Sequence, residues 1–285
     1  MNDRILSAEH LEAFREHLLR EEKSAATIEK YLRDAGTFLK FAPGQRVTKE
    51  KTIAYKQDLQ DRGYAIRSIN SMLAAVNSLL EFLGWTECKV KNLRCQQQIY
   101  CPEEKELTKA EYLRLLKATG RQEQLNLVIQ TICCTGIRVS ELKYFTVEAM
   151  ERGEVAVRCK GKTRTILVPR KLKMLLRAFA ERRGIRTGAI FVTRNGRPLD
   201  RSNIWSKMKR LCLLAGVNPS KVFPHNLRKL FARTFYGLEK DIAKLADILG
   251  HSSINTTRIY VMTTGTEHRR KIEQLDLVMA SGSTT

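Results

Sequence analysis

The sequence predicts a mainly α-helical protein of two domains with one small antiparallel β-sheet. Its 285 residues suit two domains of ordinary size. Apolar residues recur at three-to-four spacing through most of the chain, which is the period of an α-helix. In contrast, residues 154–159 and 163–168 alternate between apolar and polar and are rich in β-branched side chains, so they favour paired strands.

Residues 1–95 are predicted to form a four-helix domain. Three helices are indicated by apolar faces, and another is indicated by Thr48, which can cap a helix that ends near Arg62, before Gly63. The apolar faces comprise Leu11, Phe14 and Leu18; Ile28, Tyr31, Leu32, Ala35 and Leu39; and Ile69, Met72, Leu73, Val76, Leu80 and Leu83. Residues 96–106 lack a sustained period and contain Pro102, so we interpret them as the linker between domains.

Residues 107–285 are predicted to form an α+β domain. Thr108 and Glu111 have the spacing of a capping box, and an apolar helix over 125–134 should end near Gly136. A tight turn at 160–162 joins the two strands into a hairpin. Further helices are expected over 171–183, 202–215, 227–236, 241–249, a short stretch before Tyr260, and 267–279.

The distribution of charge predicts a nucleic-acid partner. The chain carries 51 Lys and Arg against 30 Asp and Glu, a formal net charge of +21. Residues 152–233 hold 22 basic and only three acidic residues. Charge of a single sign over such a stretch indicates a surface that binds a polyanion, whereas a surface that serves only solubility usually mixes both signs. The 43% hydrophobic content excludes a disordered basic tail, because it is sufficient for packed cores.

The N-terminal residues and the cysteines indicate the cellular compartment of the protein. The first residues contain no apolar signal region, and no apolar run approaches the length of a membrane span, so we expect a cytoplasmic protein that does not contact membranes. The seven cysteines are odd in number and form no CxxC pair, which favours neither a disulfide framework nor a zinc ribbon.

Four short strings contain residues suited to phosphodiester chemistry. They are TGIRVSEL with Arg138, the hairpin lysine Lys160, HNLR with His225 and Arg228, and LGH with His251, nine positions before Tyr260. Each is weak alone, because an isolated arginine is usually a surface residue and an isolated tyrosine usually packs in a core. His225 and Arg228 would share one face if a helix begins near Pro224.

Taken in order, these strings resemble the motifs of the tyrosine recombinase (phage integrase) family. That family carries Arg, a hairpin Lys, His-x-x-Arg, His or Trp, and then Tyr. The resemblance implies that Tyr260 is the nucleophile and that the other catalytic residues are Arg138, Lys160, His225, Arg228 and His251. One departure is Lys229, where many relatives have histidine; there we expect altered packing or an extra phosphate contact. The two-domain length resembles the Xer-like plan.

The resemblance also covers the N-terminal domain. Ser24, Thr27, Tyr31 and Asp34 have the spacing seen in the family's helical core-binding domain, which is SAM-like. By resemblance, that domain and the catalytic domain both contact DNA. The DNA-binding candidates are Ser24, Thr27, Arg67, Lys162, Arg164, Arg201, Lys207 and Lys229.

The implied reaction is a site-specific DNA strand transfer that uses no cofactor. A phenol with a pKa near 10 is a poor nucleophile, so Tyr260 needs a proton acceptor and an electrophilic phosphate. By resemblance, Arg138 and Arg228 hold the phosphate oxygens, His225 acts as acid or base, Lys160 protonates the departing 5′ oxygen and His251 hydrogen-bonds the phosphate. The product is a 3′-phosphotyrosyl bond. This bond conserves the energy of the broken phosphodiester, so the strand can be rejoined without ATP. No cluster of Asp and Glu suggests a Mg²⁺ site.

The implied partners are double-stranded DNA with inverted-repeat half-sites and further protomers. The family acts as a tetramer on DNA through a Holliday junction, either homo- or hetero-tetrameric, and a monomer off DNA is compatible with this. Integration, excision, inversion and dimer resolution all use this chemistry. The last helix carries an apolar stripe that docks either on a neighbouring protomer or on its own domain, and its residues are Ile272, Leu275, and Val278 or Met279.

Three alternatives stay open at this stage. Lys162 is close enough to Lys160 to replace it as the proton donor. A type IB topoisomerase-like enzyme would share the tyrosine chemistry but would relax DNA as a monomer. A catalytically silent DNA-binding accessory protein would retain only the basic surface. A junction-forming assay separates a recombinase from a topoisomerase-like enzyme, and covalent trapping on nicked DNA excludes the silent protein.

Overall fold

The structure is a computed structural model, and it describes residues 4–94, 102–159 and 162–275. The chain divides into two compact units, Met1–Gln97 and Gln98–Thr285. The predicted fold class is confirmed: helices dominate, and within the described ranges the regular sheet has two antiparallel strands. No helix in these ranges is both long and apolar enough to cross a bilayer.

The first unit is built from four helices, as predicted. They are α1 (Ala8–Arg20), α2 (Ala25–Phe41), α3 (Lys49–Asp61) and α4 (Ile66–Phe82). Ser24 caps α2 by accepting a hydrogen bond from the Thr27 amide, and Thr48 caps α3 by accepting one from the Lys51 amide. Their apolar faces form one core, in which Phe14, Phe38, Tyr55, Leu73 and Leu79 are fully buried.

The second unit places one β-hairpin among nine helices of the described residues. The strands are β1 (Glu154–Cys159) and β2 (Lys162–Leu167), and they pair so that Val157 lies opposite Arg164. The helices are α5 (Lys109–Ala118), α6 (Glu123–Thr135), α7 (Val147–Arg152), α8 (Arg170–Arg182), α9 (Arg201–Ala215), α10 (Pro224–Glu239), α11 (Ile242–Leu249), α12 (Ile254–Val261) and α13 (Gly265–Glu273).

Three details of the second unit differ from the sequence prediction. A 3₁₀ helix over Val139–Tyr144 and the short helix α7 were not predicted, because both are too short to show a full helical period. Tyr260 lies inside α12 and does not follow it. Of the predicted last helix, α13 covers Gly265–Glu273, whereas Val278 and Met279 lie outside the described residues.

The core of the second unit is organised around α6, whose apolar residues are buried on several sides. Helix α10 packs against α6 and α12, and α11 packs against α12. As a result, the C-terminal end of α6, the first turn of α10 and the C-terminal end of α11 are held in one region. These three helix ends carry TGIRVSEL, HNLR and LGH from the strings that the sequence singled out.

Candidate active site

Two glycines end the helices that bring the site residues together. Gly136 follows α6 and Gly250 follows α11, both in the left-handed conformation that glycine adopts without strain. A Cβ atom on Gly136 would lie 2.3 Å from the Phe231 ring, so any side chain at this position would collide with that ring. The chain can therefore turn sharply at both points, just before Arg138 and His251.

Arg228 lies at the centre of the site. Its guanidinium donates hydrogen bonds through Nη1 to the Gly136 carbonyl oxygen at 2.5 Å and through Nη2 to the Leu249 carbonyl oxygen at 2.6 Å. Its side chain is 2% exposed, and Nε has no partner among the described residues. Burial, followed by the charge of Arg138, lowers its pKa to about 10, so it is still cationic at neutral pH.

Glu141 anchors the arginines of the site. Its carboxylate accepts hydrogen bonds from the Arg138 amide at 2.7 Å and from Arg138 Nη1 at 3.1 Å. It also accepts one from Arg164 Nη2 at 2.6 Å, and Arg228 Nη1 lies 4.0 Å away. Three guanidinium groups therefore surround one buried carboxylate, and the cluster keeps a net charge of about +2. Such a cluster is suited to a phosphate group.

His251 and Tyr260 are held against Arg228. The imidazole contacts Arg228 Nη2 through Nε2 at 3.1 Å and Thr257 Oγ1 through Nδ1 at 2.9 Å, which fixes the plane of the ring. Tyr260 is 7% exposed, its ring centroid lies 4.8 Å from that of His251, and the guanidinium carbon of Arg228 lies 5.9 Å from its centroid. Tyr260 is thus packed beside the cationic cluster.

The His225 ring contacts the Tyr260 hydroxyl. The phenolic oxygen lies 3.4 Å from His225 Nδ1, and the two rings meet edge to face with centroids 4.9 Å apart. The His225 residue keeps a substantial area exposed to solvent. Partial burial, followed by the charges of Lys229 and Arg228, lowers its pKa to about 4. At neutral pH the ring is uncharged, so Nδ1 can accept a hydrogen bond from the Tyr260 hydroxyl.

The pKa of His251 is lowered in the same direction. Burial is the largest cause, and the charges of Arg228, Arg138 and Arg164 add to it, so that the pKa falls to about 4. A neutral imidazole next to a buried guanidinium avoids repulsion between like charges. His251 can therefore donate or accept a hydrogen bond at the site without adding to its charge.

The structure brings together five of the six predicted catalytic residues: Arg138, His225, Arg228, His251 and Tyr260. The sixth, Lys160, lies outside the described residues. For Lys162 the backbone is described, in β2 opposite Cys159.

Glu141 was part of the string around Arg138, but the sequence reasoning gave it no role. Its position three residues after Arg138, where a side chain can reach back to the preceding amide, was the available signal.

The predicted DNA-binding residues fall in both units. In the first unit, Ser24 and Arg67 are exposed and Thr27 is half-buried; in the second, Arg201 and Lys207 are exposed on α9. Lys229, in the first turns of α10, is half-buried. Arg164 differs from the expectation of a DNA contact, because its side chain is 15% exposed and is directed at Glu141.

Family models match most of the chain. The phage integrase family matches residues 105–266, and the SAM-like N-terminal domain of phage integrases matches residues 11–87. Tyrosine recombinase XerA of Pyrococcus furiosus is 31% identical over 98% of this chain and 98% of its own length.

Two solved structures show the same fold. A lambda integrase dimer bound to a COC′ core site superposes with a TM-score of 0.73 and 18% identity, covering 91% of this chain and 96% of the other. A lambda integrase tetramer bound to a Holliday junction gives a TM-score of 0.71 and 18% identity, covering 88% and 76%. At this level of identity the likeness concerns the fold alone.

Proposed function

The chain belongs to the phage integrase family of tyrosine recombinases, and on that premise we propose that Tyr260 is the residue through which it cleaves and rejoins DNA at specific sites. The observation that carries this proposal is the contact between the Tyr260 hydroxyl and His225, 3.4 Å apart, beside the Arg228 guanidinium. A nucleophile, a proton acceptor and a fixed cation are the parts that cleavage of a phosphodiester requires.

In the first step the phenolic oxygen of Tyr260 attacks the phosphorus atom, and its proton passes to the neutral His225 ring. The bond between phosphorus and the 5′ oxygen breaks, and Lys160 supplies a proton to that oxygen. A 3′-phosphotyrosyl bond and a free 5′-hydroxyl result. Each proton transfer contributes about 10²- to 10⁴-fold to the rate.

In the second step a 5′-hydroxyl from another strand attacks the phosphotyrosyl bond. The same groups then act in reverse: the incoming hydroxyl loses its proton, and the phenolate of Tyr260 regains one. The number of phosphodiester bonds is unchanged, so this chemistry needs no ATP. Joining strands of two duplexes in this way gives a Holliday junction.

The arginines supply the charge that the transition state requires. Negative charge grows on the two non-bridging oxygens as the tyrosine attacks, and Arg138 and Arg228 would donate hydrogen bonds to these oxygens. Arg228 is held by two backbone carbonyl groups, so little reorganisation is needed when DNA binds. His251, next to Arg228, adds a neutral hydrogen bond to the phosphate. Because the guanidinium groups provide this charge, we propose that the reaction is independent of metal ions.

The partner is double-stranded DNA with inverted-repeat half-sites. The strongly basic stretch over residues 152–233 supports contacts with phosphates, to which the exposed Arg201 and Lys207 would contribute. Four protomers are needed to exchange strands between two duplexes, and the lambda integrase tetramer on a Holliday junction shows the same fold in such an assembly. The activity would take place in the cytoplasm, on chromosomal or mobile-element DNA.

The test is covalent trapping on a nicked suicide substrate, from which the short cleaved fragment diffuses away. We expect the unaltered protein to form an adduct that survives denaturing electrophoresis, and the Tyr260→Phe variant to bind the DNA equally well without forming it. Tyr64→Phe, at a tyrosine of the first unit that is 45% exposed, serves as the control and should form the adduct. An adduct in the Tyr260→Phe variant, or an adduct abolished by EDTA, would contradict the proposal.

A further inference from the structure

Arg164 occupies an unusual position for an arginine on a β-hairpin. In β2 its side chain points to the same side as the buried Ile166, and it is only 15% exposed. Nη2 donates to Glu141 at 2.6 Å, while Nη1 donates to the carbonyl oxygen of Ile248 at 3.1 Å. One guanidinium therefore joins three segments that are distant in sequence: the hairpin, the turn after Arg138 and the end of α11.

The contact with the end of α11 depends on Gly250. A Cβ atom on Gly250 would lie 2.8 Å from Nη1 of Arg164, so the guanidinium packs directly on the glycine backbone. The carbonyl oxygen of Gly250 accepts a hydrogen bond from Arg138 Nη2 at 3.4 Å, and the next residue is His251. Arg164 and Arg138 thus hold the same short turn from two directions.

The charge on Glu141 gives Arg164 a second effect. Glu141 is buried, with Arg138 and Arg164 in hydrogen-bond contact and Arg228 4.0 Å away. If Arg164 were absent, the carboxylate would be balanced by Arg138 and Arg228 alone and would attract them more strongly. These are the two groups that must instead turn their charge towards the phosphate.

We propose that Arg164 is a positioning residue for the groups that stabilise the negative charge of the phosphate. It pairs with the Glu141 carboxylate and supports the turn at Gly250, and in this way it keeps Arg138, Arg228 and His251 directed at the phosphate. This inference rests on the proposed function and adds a residue that does not itself touch DNA. It also explains why an arginine in the most basic part of the chain faces inward.

The test compares Arg164→Met with the unaltered protein on three suicide substrates. On an ordinary phosphodiester we expect cleavage about 10- to 100-fold slower, the range for a displaced catalytic group, with unchanged DNA affinity. On a substrate with an uncharged methylphosphonate at the cleaved position, the rate of the variant should approach that of the unaltered protein, because one negative charge is absent. On a substrate with a 5′-thio leaving group, which needs no proton donor, the variant should stay slow.

Two matched variants complete the design. Arg158→Met changes an exposed arginine in β1 of the same hairpin and should cleave at the unaltered rate. Arg164→Lys keeps one charge for Glu141 but loses the second donor, so its rate should be intermediate. In an Arg138→Ala background, Arg164→Met should add a smaller loss than it causes alone, since part of its effect acts through Arg138.

The outcomes separate this inference from the proposed function. Equal slowing on the phosphodiester and the methylphosphonate would mean that Arg164 only supports the fold, and rescue by the 5′-thio substrate would mean that it positions a proton donor; either result overturns the inference. Fully additive losses with Arg138→Ala would overturn it as well. If the unaltered protein forms no adduct on any substrate, the proposed function is wrong, and this inference is then wrong as well.

Discussion

The phenolic oxygen of Tyr260 lies 3.4 Å from Nδ1 of His225, although the two residues are 35 positions apart in the chain. His225 stands in the first turn of α10, and Tyr260 stands in the last turn of α12. The two helices pack together, and this packing holds the two side chains in contact.

His225 and His251 should stay neutral well below the pH at which histidine normally titrates. Burial and the neighbouring cations lower the pKa of each ring to about 4. In an NMR titration of the DNA-free protein, with signals assigned through His225→Gln and His251→Gln, both midpoints should lie near 4. A midpoint at the ordinary value of about 6.5 for either ring would show that the cationic cluster does not act on it.

The same two histidines should make the stability of the protein depend on pH. Their folded-state pKa values lie below the unfolded value of about 6.5, so the unfolded state binds more protons between pH 6.5 and pH 4. The free energy of unfolding should therefore fall as the pH drops through this window, and the histidine contribution should be complete above pH 6.5. Urea unfolding at several pH values measures this, and His251→Gln should flatten the slope.

Glu141→Gln should destabilise the protein strongly. The buried carboxylate balances Arg138 and Arg164, and the removal of one partner from a buried pair costs about 3–5 kcal/mol. The control is Glu239→Gln, which breaks the exposed pair with Lys244 and should cost less than about 1 kcal/mol. Similar losses for the two variants in urea unfolding would contradict the anchoring role of Glu141.

Gly136→Ala should cost more stability than Gly216→Ala. Both glycines end helices with positive φ angles, +64° and +58°, so each substitution carries a backbone strain of about 1–2 kcal/mol. A Cβ atom on Gly216 meets open space, whereas one on Gly136 would overlap the Phe231 ring. Overpacking adds about 1–3 kcal/mol at Gly136. Equal unfolding midpoints for the two variants would contradict this packing.

The identity of the proton donor can be decided by substitution. Lys160→Ala should slow cleavage of an ordinary phosphodiester by about 10²- to 10⁴-fold, and a 5′-thio leaving group should restore the rate. Lys162→Ala serves as the matched change two residues away and should have little effect on cleavage at saturating protein. Rescue confined to Lys162→Ala would transfer the role to that residue.

The helices and the candidate residues were accessible to prediction because their signals are local. A capping box such as Thr108 with Glu111, or a glycine that ends a helix such as Gly136, acts over a few residues and can be recognised in the sequence. The 3₁₀ helix after Arg138 and the short helix α7 escaped prediction, since neither is long enough to repeat an apolar face.

By itself, the sequence determined the class of the fold, the order of the helices and the hairpin, the strong positive charge and the set of residues from Arg138 to Tyr260. The tertiary structure alone decided which of those residues touch: that Arg164 faces Glu141, that Arg228 is buried between two carbonyl groups, and that His225 meets Tyr260. The physical reason is distance along the chain. Arg138 and Gly250 are 112 positions apart, so only the packing of α6, α10 and α12 brings their surroundings together.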